Sequence, residues 1–242
     1  MDTILQFKNV DAGYGSLKVL KGLSFDVTEG EVLGVIGPNG CGKTTMFNAL
    51  IGLITPSSGK IIFNGGDITM MSPSMRCRNG IGRTYQVPRP FEKMSVFENV
   101  LVAAVHGAGL SEKAGAAVCH ETLVMTGLFD KREQFAGALT LLDRKRLEIA
   151  RALGTRPKLL LLDEVAAGLT DAEVHEVMGL VADLRASGQT IIWIEHVIQT
   201  MVNATDRLMC MSDGQVLLSG DPMEVMDSKA VEEVYLGVED DE

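Results

Sequence analysis

GPNGCGKTT, residues 37–45 of the chain, matches the pattern GxxxxGK[ST]. The apolar run EVLGVIG before it is typical of a buried strand, and TTMFNALIGL after it has the spacing of a helix. In such a segment, backbone N–H groups surround phosphate, the lysine reaches the β- and γ-phosphates, and the hydroxyl residue binds Mg²⁺. A glycine-rich turn with an exposed lysine is the alternative, but the flanking strand and helix disfavour it. We therefore predict that this segment, here called the phosphate loop, binds a nucleotide.

We predict that every residue of the phosphate loop contacts the nucleotide. Thr44, the first hydroxyl residue after the lysine, is also a predicted metal ligand. The predicted contacts are Gly37, Pro38, Asn39, Gly40, Cys41, Gly42, Lys43, Thr44 and Thr45.

The composition is that of a soluble globular protein, with 46% hydrophobic and 22% charged residues in a chain of 242. The formal net charge of −10 repels nucleic-acid phosphates, so we expect no nucleic-acid partner. The four cysteines show no CxxC spacing, which argues against a zinc site or a redox pair. The N-terminal sequence MDTILQFKN does not resemble an export signal, and no run approaches the 18 apolar residues that span a bilayer.

Hydrophobic patterning predicts an α/β fold with a mostly parallel core sheet. Alternating residues at 3–34 indicate short antiparallel strands in an N-terminal β-subdomain, whereas 95–153 is predominantly helical. The runs KLLLLDE and QTIIWIEH are apolar throughout, as parallel strands covered on both faces require. RLMCMSDGQVLLSG predicts a hairpin that turns at Asp213 and Gly214.

Three polar side chains follow the predicted parallel strands. Asp163 and Glu164 end LLLLDE, and His196 ends IIWIEH. Because ligands collect at the carboxyl ends of parallel strands, we expect these side chains and Lys43 to converge on one face. An aspartate there suits an Mg²⁺ site, and a glutamate suits polarising a water for attack on the γ-phosphate. Solvated carboxylates and a surface histidine are the alternatives.

Together, GPNGCGKTT, GRTYQVPRPFEKMSVFENVLVAA, LLLLDE and IEH resemble the ATP-binding subunits of ATP-binding cassette (ABC) transporters over essentially the whole chain. Among them, RTYQ, MSVFENVLVA, RKRLEIARAL, DEVAAGL and the ending VYLG resemble the subunits of branched-chain amino acid importers. The resemblance implies a P-loop NTPase fold in one ABC domain over 1–242. It places the core and β-subdomain at 1–87 and 156–242, and an inserted helical subdomain at 88–155.

The resemblance also implies roles for single residues, with ATP and Mg²⁺ as cofactors. Tyr14 would stack on adenine, and Gln86 would bind Mg²⁺ and signal to the membrane subunits. Glu164 would be the catalytic carboxylate, His196 would contact the γ-phosphate, and Asp163 would be a metal ligand. Tyr14 could equally be a turn aromatic, and Gln86 a solvated loop residue.

One segment departs from the family pattern. LTLLD at residues 139–143, here called the signature segment, stands where ABC subunits have LSGGQ, which clasps the γ-phosphate of ATP held by the opposite subunit. Thr140 keeps a hydroxyl for this contact. Leu141 and Leu142 would crowd the phosphate, and Asp143 would place a like charge near it. Alternatively, Thr140 and Asp143 form a capping box that begins a helix without any ligand.

This departure bears on the partners. The signature segment of this chain would contact the ATP that the partner binds, so a weak segment impairs the partner's ATP site. We therefore expect a second ABC subunit that differs from this one, with a homodimer as the alternative. The resemblance further implies membrane permease subunits, an indirect link to a periplasmic or extracellular solute-binding protein, and a cytoplasmic location on the inner face of the membrane. The predicted function is ATP hydrolysis that energises an importer. An ATP-dependent switch or scaffold with little hydrolysis is the alternative.

Overall fold

The computed structural model describes residues 2–195 and 198–236. These form two compact units, one from residues 2–73 with 188–195 and 198–236, and one from residues 74–187. The strands are β1 (Thr3–Tyr14), β2 (Leu17–Thr28), β3 (Val32–Ile36), β4 (Ser58–Phe63), β5 (Gly66–Asp67), β6 (Ile81–Arg83), β7 (Leu159–Asp163), β8 (Thr190–Ile194), β9 (Arg207–Ser212) and β10 (Gln215–Gly220). The α-helices are α1 (Lys43–Leu50), α2 (Pro73–Arg78), α3 (Val96–Val102), α4 (Glu112–Met125), α5 (Leu141–Gly154), α6 (Asp171–Ala186), α7 (Ile198–Ala204), α8 (Pro222–Met226) and α9 (Lys229–Leu236).

The first unit contains an antiparallel sheet with the strand order β2-β1-β4-β5. This confirms the predicted N-terminal β-subdomain. The expectation of short strands was wrong, because β1 and β2 each contain 12 residues. The pairing register shifts on either side of Val10, and Asn9 has a positive φ of 49°, as expected where a β-bulge interrupts a strand pair.

The first unit also contains the parallel strands that carry the phosphate loop. β3 pairs in parallel with β8 and with β9, and every residue of β3 and β8 is buried. β9 and β10 form the predicted hairpin, in which Asp213 and Gly214 both have positive φ, as a type I′ turn requires. The phosphate loop therefore leaves the carboxyl end of a fully buried strand.

The second unit combines parallel strands with helices. β6 pairs in parallel with β7, and all five residues of β7 are buried. Helices α3, α4 and α5 share an apolar core that includes Val100, Leu123 and Leu147, which confirms the helical block predicted at 95–153. The bounds 88–155 for a helical subdomain stay a prediction. Within the described ranges, no helix is both long and apolar enough to cross a membrane.

Candidate nucleotide site

The phosphate loop has a backbone that glycine alone adopts easily. Gly37 has φ 147°, and a Cβ added there would lie 2.3 Å from the carbonyl oxygen of Met211. Gly42 is the N-cap of α1, with φ 111° and no side-chain hydrogen bond to the first turn. The N–H groups of that turn thus have no side-chain cap, and the positive end of the helix dipole lies there. Both features suit an anion such as phosphate.

Lys43 provides a fixed positive charge in the same loop. Its side chain is buried, and its Nζ donates hydrogen bonds to the carbonyl oxygens of Gly37 at 2.6 Å and Pro38 at 3.1 Å. Because charge-assisted hydrogen bonds hold this ammonium group against the loop backbone, a cation is in place where the sequence predicted phosphate binding.

The buried cysteines of the first unit are unsuited to nucleophilic chemistry. Burial raises the pKa of the Cys41 thiol, and it raises that of Cys210 to about 11. Both thiols are therefore protonated near neutral pH, and the reactive thiolate is scarce.

Two tyrosines contact the segment around the phosphate loop. Tyr14 is half exposed at the end of β1, and its hydroxyl accepts a hydrogen bond from Nδ2 of Asn48 on α1 at 3.0 Å. Tyr235 on α9 accepts a hydrogen bond from the Gly37 N–H at 2.7 Å; the residue is 36% exposed, and partial burial raises its pKa to about 12. The sequence analysis missed Tyr235, because the contact joins residues 198 positions apart.

In the second unit, Asp163 ends β7 as a buried carboxylate. Its Oδ2 forms an ion pair with Nη2 of Arg83 at 2.8 Å, and its N–H donates to the Thr84 hydroxyl at 3.1 Å. Both side chains of the ion pair are nearly inaccessible to water. The sequence analysis did not single out Arg83; its only signal was a cation at the end of the short strand that pairs with β7.

Gln86 and Glu164, two predicted site residues, contact each other directly. Nε2 of Gln86 donates to Oε2 of Glu164 at 2.5 Å. Lys145 on α5 donates to the backbone carbonyl oxygens of both residues, at 2.8 Å to Gln86 and 3.0 Å to Glu164. The sequence analysis also missed Lys145. The sequence did contain a signal for Lys145. Ile149 is buried and lies four positions later, on the same face of the helix, so a charged residue at position 145 falls in a buried stripe.

In the signature segment, side chains of the segment itself cap the start of α5. Thr140 is the N-cap of α5, where its hydroxyl accepts from the Asp143 N–H at 3.2 Å and donates to Asp143 Oδ2 at 3.0 Å. The same carboxylate pairs with Lys131 at 2.5 Å and is buried. Lys131 offsets part of the like charge that Asp143 was expected to place near the phosphate, and the effect of Asp143 on ATP stays a prediction. Leu141 is exposed, and the crowding of phosphate expected from this leucine stays a prediction.

The predicted metal ligands offer oxygen donors of the kind that Mg²⁺ prefers. Thr44 offers a hydroxyl, Gln86 an amide carbonyl and Asp163 a carboxylate. Within residues 2–195 and 198–236, no group of three or more His, Cys, Asp or Glu is arranged to hold a metal. Each of these three donors is of the kind that binds an ion which also takes oxygens from substrate phosphates and water. His196 lies outside the described residues.

Comparisons with known proteins agree with this chemistry. Residues 20–167 match the family described as ABC transporter. The chain is 36% identical to the lipopolysaccharide export system ATP-binding protein LptB of Acidithiobacillus ferridurans, over 98% of each chain. It is 34% identical to the high-affinity branched-chain amino acid transport ATP-binding protein BraF of Pseudomonas aeruginosa, over 97% of this chain and 98% of that one.

Among solved structures, the ADP conformation of MJ1267, an ATP-binding cassette of an ABC transporter, superimposes with a TM-score of 0.89. It is 32% identical and covers 98% of this chain and 100% of that chain. The predicted α/β cassette fold is thereby confirmed. The chain belongs to the ABC transporter family as an ATP-binding subunit, an ATP hydrolase coupled to transport.

Proposed function

We propose that this subunit hydrolyses Mg²⁺-ATP with Glu164 as the carboxylate that polarises the attacking water. The hydrogen bond from Gln86 to Glu164 supports this role most directly, because it fixes the orientation of the carboxylate at the end of β7. A positioned carboxylate can accept the proton of a water that attacks the γ-phosphate in line.

The other site residues bind and orient the nucleotide. The phosphate loop surrounds the phosphates with N–H groups, and Lys43 stabilises their negative charge. Thr44, Gln86 and Asp163 would hold Mg²⁺, which neutralises charge on the transferring phosphoryl group. Tyr14 stacks on adenine through its exposed ring, and His196 contacts the γ-phosphate.

Replacing Glu164 with Gln tests the hydrolytic role. We expect phosphate release from Mg²⁺-ATP to fall at least 100-fold, because the amide cannot accept the proton, while ATP binding persists. Glu173→Gln is the matched control, since Glu173 is a partly exposed residue of the capping box of α6. Phosphate release that is unchanged in Glu164→Gln would contradict the proposal.

A second candidate function is an ATP-dependent switch with little hydrolysis. The signature segment favours it, because the Thr140 hydroxyl is already engaged by Asp143 and Leu141 is exposed beside it. In this case, ATP would close a dimer without rapid turnover. Wild-type phosphate release no faster than that of Glu164→Gln would support the switch.

The signature segment also supports pairing with a different ABC subunit. Each ATP would be held by the phosphate loop of one chain and the signature segment of the other, so an intact segment in the partner would complete the site that contains Lys43. We expect slow turnover by the purified chain alone and faster turnover once the partner is added. Vigorous hydrolysis by the chain as a homodimer would contradict this.

We further propose that the subunit energises an importer for branched-chain amino acids or a related small solute. The motifs quoted above and the name of the BraF relative support an importer, whereas the LptB relative is named for lipopolysaccharide export. The partners would be permease subunits on the cytoplasmic face and, indirectly, a solute-binding protein. Copurification with an amino-acid permease would support this, and copurification with a lipopolysaccharide-export permease would refute it.

A further inference from the structure

Lys145 is a buried cation in the second unit. It lies on α5, two residues after the signature segment, and its side chain is 2% exposed. Moving an ammonium group out of water is costly unless hydrogen bonds compensate, so a buried lysine is retained only where its donors have partners. Two of those partners are the backbone carbonyl oxygens of Gln86 and Glu164.

These two carbonyls belong to the residues that also meet through their side chains. Gln86 Nε2 donates to Glu164 Oε2 at 2.5 Å, and Lys145 Nζ lies 2.8 Å and 3.0 Å from the two backbone oxygens. Two sets of hydrogen bonds thus connect the loop containing Gln86 to the end of β7. One set joins the side chains of Gln86 and Glu164, and the other joins the ammonium group of Lys145 to the backbones of both residues.

Glu164 needs such support because its backbone is strained. Its φ is 47°, in the left-handed region that residues with a Cβ rarely adopt. Its carbonyl oxygen accepts from Lys145 and also from the N–H of Ala167 at 3.2 Å. A strained conformation persists where surrounding contacts over-determine it, and a charge-assisted hydrogen bond is the strongest kind of contact available to a carbonyl.

We propose that Lys145 is a positioning residue for ATP hydrolysis, which holds Gln86 and Glu164 in the geometry that hydrolysis needs. This rests on the proposed roles of those two residues. Lys145 bonds their backbones and not their reactive atoms, so it acts on turnover through them. A displacement of about 1 Å in such a group can cost about 100-fold in rate, whereas nucleotide affinity depends mainly on the phosphate loop.

The test compares Lys145→Met with Leu147→Ala in the full chain together with the subunits that copurify with it. Methionine keeps the apolar stem and removes the ammonium group. Leu147 is a fully buried residue of the same helix that packs in the apolar core of α3, α4 and α5, so its truncation controls for lost stability. Lys145→Gln, which keeps an amide donor, is a milder second variant if Lys145→Met does not fold.

Two readouts are needed, namely the kinetics of phosphate release from Mg²⁺-ATP and amide hydrogen exchange at Ala167. We expect Lys145→Met to lower kcat at least tenfold with KM for ATP within threefold, and to raise exchange at Ala167 at least tenfold above Leu147→Ala. Leu147→Ala should lower Tm without these changes. Lys145→Gln should show both changes to a smaller degree.

Exchange at Ala167 no faster in Lys145→Met than in Leu147→Ala would overturn the proposal, even if kcat falls. A kcat within threefold of wild type, with Glu164→Gln inactive under the same conditions, would also overturn it. If Glu164→Gln remains active, the hydrolytic role of Glu164 fails, and with it the kinetic part of the inference. The exchange result then still decides whether Lys145 holds this backbone, because it requires no turnover.

Discussion

The helices α1 and α5 begin in opposite ways. α1 follows Gly42, whose φ of 111° is left-handed and whose position offers no side-chain cap. α5 follows Thr140, whose backbone is extended and whose hydroxyl bonds the Asp143 N–H. Both segments were predicted to lie near phosphate, but of the two only the start of α1 has a first turn without a side-chain cap.

The difference shows how a helix N-terminus can serve either a ligand or its own stability. A glycine N-cap offers no side-chain acceptor to the first-turn N–H groups and allows a phosphate to approach the backbone. A threonine N-cap satisfies an N–H group within the chain and stabilises the helix by about 1 kcal/mol. The self-capped start of α5 is therefore stable without nucleotide, and this favours unequal ATP sites.

Adding a methyl group at Gly37, at the start of the phosphate loop, should have the largest effect on the free energy of unfolding. In Gly37→Ala, the Cβ would lie 2.3 Å from the Met211 carbonyl oxygen in a backbone with φ 147°. We expect a loss of about 3–5 kcal/mol in the free energy of unfolding, measured by urea denaturation, and loss of ATP binding.

Gly40→Ala is the matched control. Gly40 has φ 81°, but nothing lies within 4 Å of the position of its Cβ, so only the left-handed strain of about 1 kcal/mol applies. Equal destabilisation by the two variants would mean that the close approach of Met211 to Gly37 is unimportant.

Removing the N-cap of α5 should have a smaller effect on the free energy of unfolding. Thr140→Ala deletes the hydroxyl that bonds both the N–H and the carboxylate of Asp143. We expect the free energy of unfolding to fall by about 1 kcal/mol, and Thr140→Ser, which keeps the hydroxyl, to stay close to wild type. An alanine variant as stable as the serine variant would show that the cap contributes nothing.

An effect of about the same size is expected at Tyr235, whose hydroxyl contacts the phosphate loop from α9. Tyr235→Phe removes the hydrogen bond to the Gly37 N–H and should cost about 0.5–1.5 kcal/mol near neutral pH. The pKa of Tyr235 is raised to about 12, above its unfolded value of about 10. The folded state therefore retains the proton longer, so the contribution is complete below pH 10 and is lost as pH rises towards 12.

Urea denaturation of wild type and Tyr235→Phe between pH 7 and pH 11 checks this dependence. The difference between the two proteins should be constant up to about pH 9 and should shrink above pH 10. A difference that grows with pH would contradict the stated direction of the pKa shift.

Local pattern was enough to predict the elements that carry the site. The glycines and the lysine of the phosphate loop follow a fixed spacing, and the apolar run before Asp163 identifies a buried strand. The pairing of Asp143 with Lys131 depends on a 3₁₀ turn at Phe129–Lys131 and could not be read from the sequence. The contact of Tyr235 with Gly37 depends on tertiary structure in the same way.

The left-handed backbone of Glu164 has a consequence for protein engineering. Glycine adopts φ 47° without the Cβ penalty, so Glu164→Gly should relieve about 1 kcal/mol of strain while it removes the carboxylate. A directed-evolution screen that selects on thermostability alone would therefore not select for the carboxylate on which the proposed hydrolytic role depends. A campaign to stabilise this subunit should select on phosphate release in parallel, or hold position 164 fixed.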